Sequence, residues 1–270
     1  MALTLAVVLV FRLVLPQREF VLQVHMLTPL LATLLMLFVF TRDGYKGKNR
    51  LSLGLISSGR QTWLAAFLLP LPILAVIYGL GWVSGAAAFA APTEAGWLPD
   101  FLISWLINFL IIVILVTAEE IGFRGYLLPH LQDLGDTWAI LLFGFLHGVW
   151  HLPAALLTSF YLAEGNPWLT IPLFLLLLTA VGWIYGKLRL ATRSIWPGVI
   201  LHASFNVFLG VFASLTVMSS PLSVYLVGES GVVTLLVTAV VAYWLMKHWP
   251  KPNKVTGVLD TPVKPLSAAN

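Results

Sequence analysis

Three short clusters hold the residue types that amide hydrolysis needs. Glu119, Glu120 and Arg124 stand in "AEEIGFRG", directly after the apolar run "FLISWLINFLIIVILVT". Phe143, His147 and His151 stand in "FGFLHGVWH", and His202 and Asn206 in "HASFN". Glu120 and Arg124 are four apart, neighbours on one helical face and disposed to pair. Glu119 is turned about 100° away by the 3.6-residue period. One carboxylate is therefore neutralised and structural, while the other is free to face a cavity. His147 and His151 share a face by the same spacing, and so do His202 and Asn206. A free glutamate beside a histidine in a dry pocket is a water-activating pair. Imidazole and carboxamide donors on a facing helix suit the oxyanion of a tetrahedral intermediate.

The elements that must position these groups are membrane helices. The chain has 270 residues, 59% hydrophobic and 10% charged, with mean hydropathy +0.94. Soluble domains average roughly 45–50% apolar and about 25% charged residues, which excludes a soluble protein. The net charge of +4 and pI near 9.4 need no nucleic-acid partner, because short cytoplasmic loops collect Lys and Arg. With no cysteine, disulfides, thiolate metal sites and a cysteine nucleophile are excluded.

Spans of about 20 apolar residues are predicted near 2–15 (short), 20–40, 62–84, 100–118, 137–158, 168–186, 194–216 and 230–246. The fold class is thus an all-α polytopic bundle of about eight transmembrane helices. The first apolar segment reads as a span or a lipid-lying helix, not a removed signal peptide. Residues 1–60 form N-terminal spans and a basic linker. Residues 61–247 form the main bundle, with the chemistry at about 100–215, and residues 248–270 a proline-rich tail expected to be disordered. Arg42, Lys46, Lys48, Arg50 and Arg60, then Lys187, Arg189 and Arg193, then Lys247, Lys251 and Lys254 fall on one side. Glu94, Asp100, Glu164 and Glu229 fall on the other. The positive-inside rule places both termini in the cytoplasm. His147 lies roughly 15 Å and His202 roughly 12 Å from the cytoplasmic ends of their spans at 1.5 Å per residue. Glu119 closes a helix arriving at that side. All three clusters meet in the cytoplasmic half of the bundle.

The spacings EExxxR, FxxxH and HxxxN, in this order over about residues 100–215, resemble those of the CPBP intramembrane proteases. That group holds the CAAX prenyl endopeptidases and the Abi or bacteriocin self-immunity proteins. The resemblance implies that Glu119 activates water, with Glu120 and Arg124 completing its motif. It also implies that His147 holds that water and that His202 and Asn206 form the oxyanion hole. It carries no role onto His151, and Phe143 is expected to pack beside the site. The implied setting is a bacterial cytoplasmic membrane, and the implied partners are the bilayer and a membrane-associated protein or peptide substrate. The group is often named for metalloproteases, while the structural view of its eukaryotic members favours a metal-free glutamate mechanism. No cofactor is expected here, because "HGVWH" lacks the glutamate of the H-E-x-x-H zinc motif. Were zinc present, Glu119, His147, His151 and His202 would be its ligands.

Each cluster also has a plainer reading, as interfacial charges, a satisfied core histidine or interhelical hydrogen bonds. His25, His130 and Asn108 are expected to be structural, and tryptophans near span ends to form an interfacial belt. The competing functions are a non-catalytic scaffold or immunity protein on the same fold, and a proton-coupled transporter using Glu119 and His147. A scaffold needs no Glu–His set. The transporter should show paired Gly- or Pro-broken spans, which are not seen.

Overall fold

The computed structural model describes residues 1–14, 21–42, 53–92, 97–158 and 165–248. The chain is a helix bundle built from α1 (Ala2–Val14), α2 (Val21–Leu35, prolonged by a π-helical turn, Met36–Phe40), α3 (Trp63–Leu68), α4 (Pro70–Val83) and α5 (Trp97–Glu120). A π-helical stretch (Ile121–Leu127) joins α5 to α6 (Leu128–Leu131), and α7 (Asp136–Leu157), α8 (Pro167–Thr192), α9 (Trp196–Ser214) and α10 (Val232–His248) follow. Every predicted span coincides with helix. Six helical runs are long and apolar enough to cross a bilayer, whereas α1 with 13 residues and α10 with 17 are shorter. Lys46, Lys48, Arg50, Glu94, Glu164, Lys251, Lys254 and the tail after His248 lie outside the described residues.

The outer faces are apolar because their solvent is lipid. Ile103, Ile107, Leu110 and Ile114 recur at helical spacing along α5, and all are exposed. In hydrocarbon that stripe carries no penalty, since lipid tails are as apolar as leucine. Exposed Trp63, Trp97, Trp138, Trp168 and Trp244 stand near helix ends, as an interfacial belt requires.

The interior is set by close helix crossings. Gly144 on α7 meets Gly182 on α8, while Gly148 packs on Leu175 and Leu178 and Gly186 on Ile140, so two small-xxx-small stripes let the backbones approach. A Cβ added to Gly182 would stand 2.5 Å from Gly144 Cα, and one on Gly186 would stand 2.7 Å from Ile140 Cγ1. This crossing holds His147 and Tyr185, each the residue before the second glycine of its stripe.

Two differences from the sequence reading bear on the site. First, the fourth span does not stop near residue 118. Residues 99–134 form one helical run of 36 residues, about 54 Å at 1.5 Å per residue, against a hydrocarbon core of about 30 Å. Charges do not break a helix when they are neutralised within it, and the run passes Gly122, Gly125 and Pro129 before it ends at Gly135, φ +82°. The π-helical widening just after the two glutamates is of the kind found at functional sites. Its Gly122 lies against α2, where an added Cβ would stand 2.8 Å from the Pro29 carbonyl carbon. Pro29 has no N–H to offer the carbonyl of His25, and the Thr28 hydroxyl donates to that carbonyl at 2.8 Å instead.

Second, the fold is not wholly helical. Ala87–Phe89 and Thr216–Met218 pair antiparallel, with Ala87 opposite Met218 and Phe89 opposite Thr216. This two-stranded ribbon clips the segments that follow α4 and α9, and the Trp82 indole donates to Thr216 Oγ1 at 3.1 Å. Two tripeptides are too short to show strand periodicity in sequence.

Candidate active site

The two glutamates sit deep in the bundle, where α5 passes into the π-helical stretch. Glu119, Glu120 and Arg124 are each at most 1% exposed. Glu120 Oε1 forms an ion pair with Arg124 Nη1 at 2.8 Å and is hydrogen-bonded to His202 Nδ1 at 2.9 Å. The guanidinium is stacked between the rings of Phe143 and Tyr185, 4.7 and 4.4 Å from their centroids. Phe143 therefore packs on the cation as one face of an aromatic clamp. Arg189 of α8 donates from Nε to the Arg124 carbonyl at 3.1 Å, tying the π-helical stretch to that helix.

Glu119 points elsewhere. Its Oε2 lies 3.5 Å from His147 Nε2. Beyond that contact neither atom has a hydrogen-bond partner among the described residues. The His147 ring rests on Phe123 at 4.5 Å and faces His151 at 5.1 Å and His202 at 6.2 Å. Asn206 follows His202 by one turn of α9. Glu119, Arg124, His147, His151, His202 and Asn206 all line one cavity of about 290 Å³, whose other walls are mostly Leu, Ile, Val and Phe.

The structure brings together three of the four residues named for a metal. One ligand atom from each of Glu119, His147 and His151 lies within 4.8 Å of the others, the two-His-one-Glu donor set of catalytic zinc. His202 stands outside this group, and its Nδ1 lies 2.9 Å from Glu120 Oε1. His151, given no role from the motifs, stands inside it.

Three other residues were expected to be structural. His25 is buried and stacks on Trp150 with centroids 4.0 Å apart, and its ring is 6.0 Å from that of His151. The N-terminal helices thus reach the site's flank. His130 is exposed, its ring against the Tyr126 carbonyl, and Asn108 is exposed and does not line the cavity.

Sequence reasoning missed Tyr185, Arg189 and Glu229. Tyr185 carries a usable signal, a phenol inside a Gly-xxx-Gly frame of an apolar span. Arg189 was read only as a topology charge, and Glu229 only as a loop residue.

A polytopic helical bundle with Glu119, Arg124, His147, His151, His202 and Asn206 on one cavity fits a CAAX-type intramembrane protease. Residues 99–208 match the family model described as Type II CAAX prenyl endopeptidase Rce1-like. The match includes every cluster above and leaves out α1 to α4, α10 and Glu229. No curated protein is detectably similar to the chain.

Proposed function

We propose that the chain is an endopeptidase that cuts a peptide bond of a membrane-associated protein or peptide, with Glu119 as general base. The observation that carries this reading is the contact between Glu119 Oε2 and His147 Nε2 at 3.5 Å, on the wall of a cavity shared with His202 and Asn206. A water hydrogen-bonded by both groups gives its proton to Glu119 and attacks the carbonyl carbon. His202 and Asn206 meet the charge that develops on the carbonyl oxygen. When the C–N bond breaks, the Glu119 carboxyl returns its proton to the leaving amine, so the acid–base cycle closes.

The pairing of His202 adds a condition. Glu120, as a carboxylate opposite Arg124, only accepts, so Nδ1 is the nitrogen that donates to it. Nε2 then offers a proton to the oxyanion only when His202 is an imidazolium.

The test is Glu119→Gln, which keeps the shape and removes the base. Hydrolysis of a verified substrate should fall by about 10²–10⁴-fold with thermal stability little changed. Cleavage at the wild-type rate would refute the mechanism.

A second reading is favoured by the convergence of Glu119, His147 and His151 within 4.8 Å. These three would hold a zinc ion, which supplies a water of lowered pKa and a Lewis acid when bound. Glu119 would then be a ligand and not the base. Metal analysis of the purified protein distinguishes the two, since this reading needs stoichiometric zinc that Glu119→Gln and His151→Ala both lose.

The chain is further proposed to lie in a bacterial cytoplasmic membrane with both termini in the cytoplasm. The placement of Arg60, Lys187, Arg189, Arg193 and Lys247 supports this orientation. Reporter fusions active in the periplasm at the C-terminus would reverse it.

A further inference from the structure

The cavity has a second polar end that the hydrolytic reading does not use. Glu119, His147, His202, Glu229 and Thr234 all line it, with Phe174, Leu177, Leu178 and Leu209 among the walls. The Asn166 N–H donates to Tyr225 Oη at 2.6 Å, which sets the turn of Glu229 beside the start of α8 and away from Tyr185. Helix rise measures the separation. From His202 to Leu209 on α9 is seven residues, about 10 Å, and from Tyr185 to Phe174 on α8 is eleven residues, about 16 Å.

Glu229 is held in place by a tied turn. Thr234 Oγ1 donates to the Gly228 carbonyl at 2.7 Å, the Val233 N–H to Leu226 at 3.0 Å and the Gly231 N–H to Gly228 at 3.1 Å. Gly228 takes φ +102°, which a residue with a Cβ rarely adopts. Val227 beside it is buried against Gly81, where an added Cβ would stand 2.8 Å from its Cγ2. The turn thus carries a half-buried carboxylate into the bundle. Among the described residues, no hydrogen bond or ion pair is made to that carboxylate.

Its electrostatic surroundings offer no counter-charge. Tyr78 of α4 is close enough to feel it, and Arg124, at the far end of the cavity, is already paired with Glu120. The remaining titratable cavity groups among the described residues are Glu119, His147, His151, Tyr185 and His202, none of them a paired counter-charge to Glu229. Burial pushes the Glu229 carboxyl above the ordinary carboxylate range. A carboxylate in such a place is costly until a cation reaches it.

We propose that Glu229 is a subsite for a cationic nitrogen, an ammonium or guanidinium, carried by an otherwise apolar ligand. If the ligand is the peptide substrate, extended chain advances about 3.3 Å per residue. The basic residue would then lie about three to five residues from the bond that is cut. That positional statement rests on the hydrolytic reading, and the cation subsite does not.

Two arms of one experiment separate these statements, using the full-length protein in lipid nanodiscs. In the first, thermal unfolding is followed with decylamine and decanol as probes. Decylamine should half-saturate the wild type at a concentration about tenfold or more below that for Glu229→Gln, the least expected of a charge-assisted hydrogen bond. Glu229→Asp, which keeps the charge, should bind decylamine more tightly than Glu229→Gln, and decanol should act alike on all three. Equal decylamine response in wild type and Glu229→Gln would overturn the subsite. In the second arm, apolar peptides with lysine or norleucine at successive positions are cleaved. Lysine three to five residues from the scissile bond should lower KM for the wild type and not for Glu229→Gln. If Glu119→Gln still cleaves while the decylamine difference holds, the hydrolytic reading falls and the cation subsite stands.

Discussion

Removing the guanidinium of Arg124 tests how the site is held together. The Arg124–Glu120 pair is at most 1% exposed and 2.8 Å apart. At that distance two unit charges attract by about 6 kcal/mol at an effective dielectric constant of 20. Most of this is offset by the cost of taking both ions from water, so the pair itself adds little net stability. Breaking it is another matter. Arg124→Ala leaves Glu120 buried with only His202 as a partner, which costs about 3–5 kcal/mol. The loss of the clamp between Phe143 and Tyr185 adds to that. For a chain of this size the drop in Tm is about 6–20 °C at about 2–4 °C per kcal/mol. Arg124→Met with Glu120→Gln removes both charges at similar volume and should recover most of the lost stability. Activity should not return, because Nδ1 of His202 loses the carboxylate that orients it. The assay is unfolding in nanodiscs for both single variants and the double, alongside hydrolysis. An Arg124→Ala protein that melts with the wild type would refute the reasoning, and so would a double variant no more stable than the weaker single.

Gly182→Leu should sharply lower folded yield, since its Cβ alone would stand 2.5 Å from Gly144 Cα and overpacking of even modest size costs about 1–3 kcal/mol. The yield of monodisperse protein on size exclusion reads this, with the half-buried Gly79, where an added Cβ meets nothing within 4 Å, as the control position. Glu229 has a folded pKa raised by burial above its usual value of 4.5. Its protonated form therefore contributes stability that is full below about 4.5 and is lost as pH rises through the folded pKa. Glu229→Gln should flatten that dependence and melt above the wild type at neutral pH, as Tm measured from pH 4 to about 8 would show. Activity should survive exhaustive chelation, because the metal-free reading needs only Glu119 and His147. Loss on chelation with recovery on stoichiometric zinc would turn the choice toward the second reading.

The sequence by itself determined what its solvent and its local spacing dictate. A chain with 59% hydrophobic residues must place its helices in lipid, and each polar cluster inside a span must find partners within the bundle. The Glu120–Arg124 pair was legible because both ends lie on one helical face. Depth counting also brought three clusters toward one level, although it took Glu119 for the end of its span. Only the tertiary structure decided what each group meets. His202 serves Glu120, His151 joins Glu119 and His147, Tyr185 closes the clamp on Arg124, and Glu229 enters the cavity from a loop. Those partners lie between 4 and 110 residues apart along the chain, and α-helical periodicity relates only neighbours on one helix. Which face of α7 meets which face of α8 is settled by where glycines let two backbones touch, and that contact belongs to the pair of helices and to neither alone.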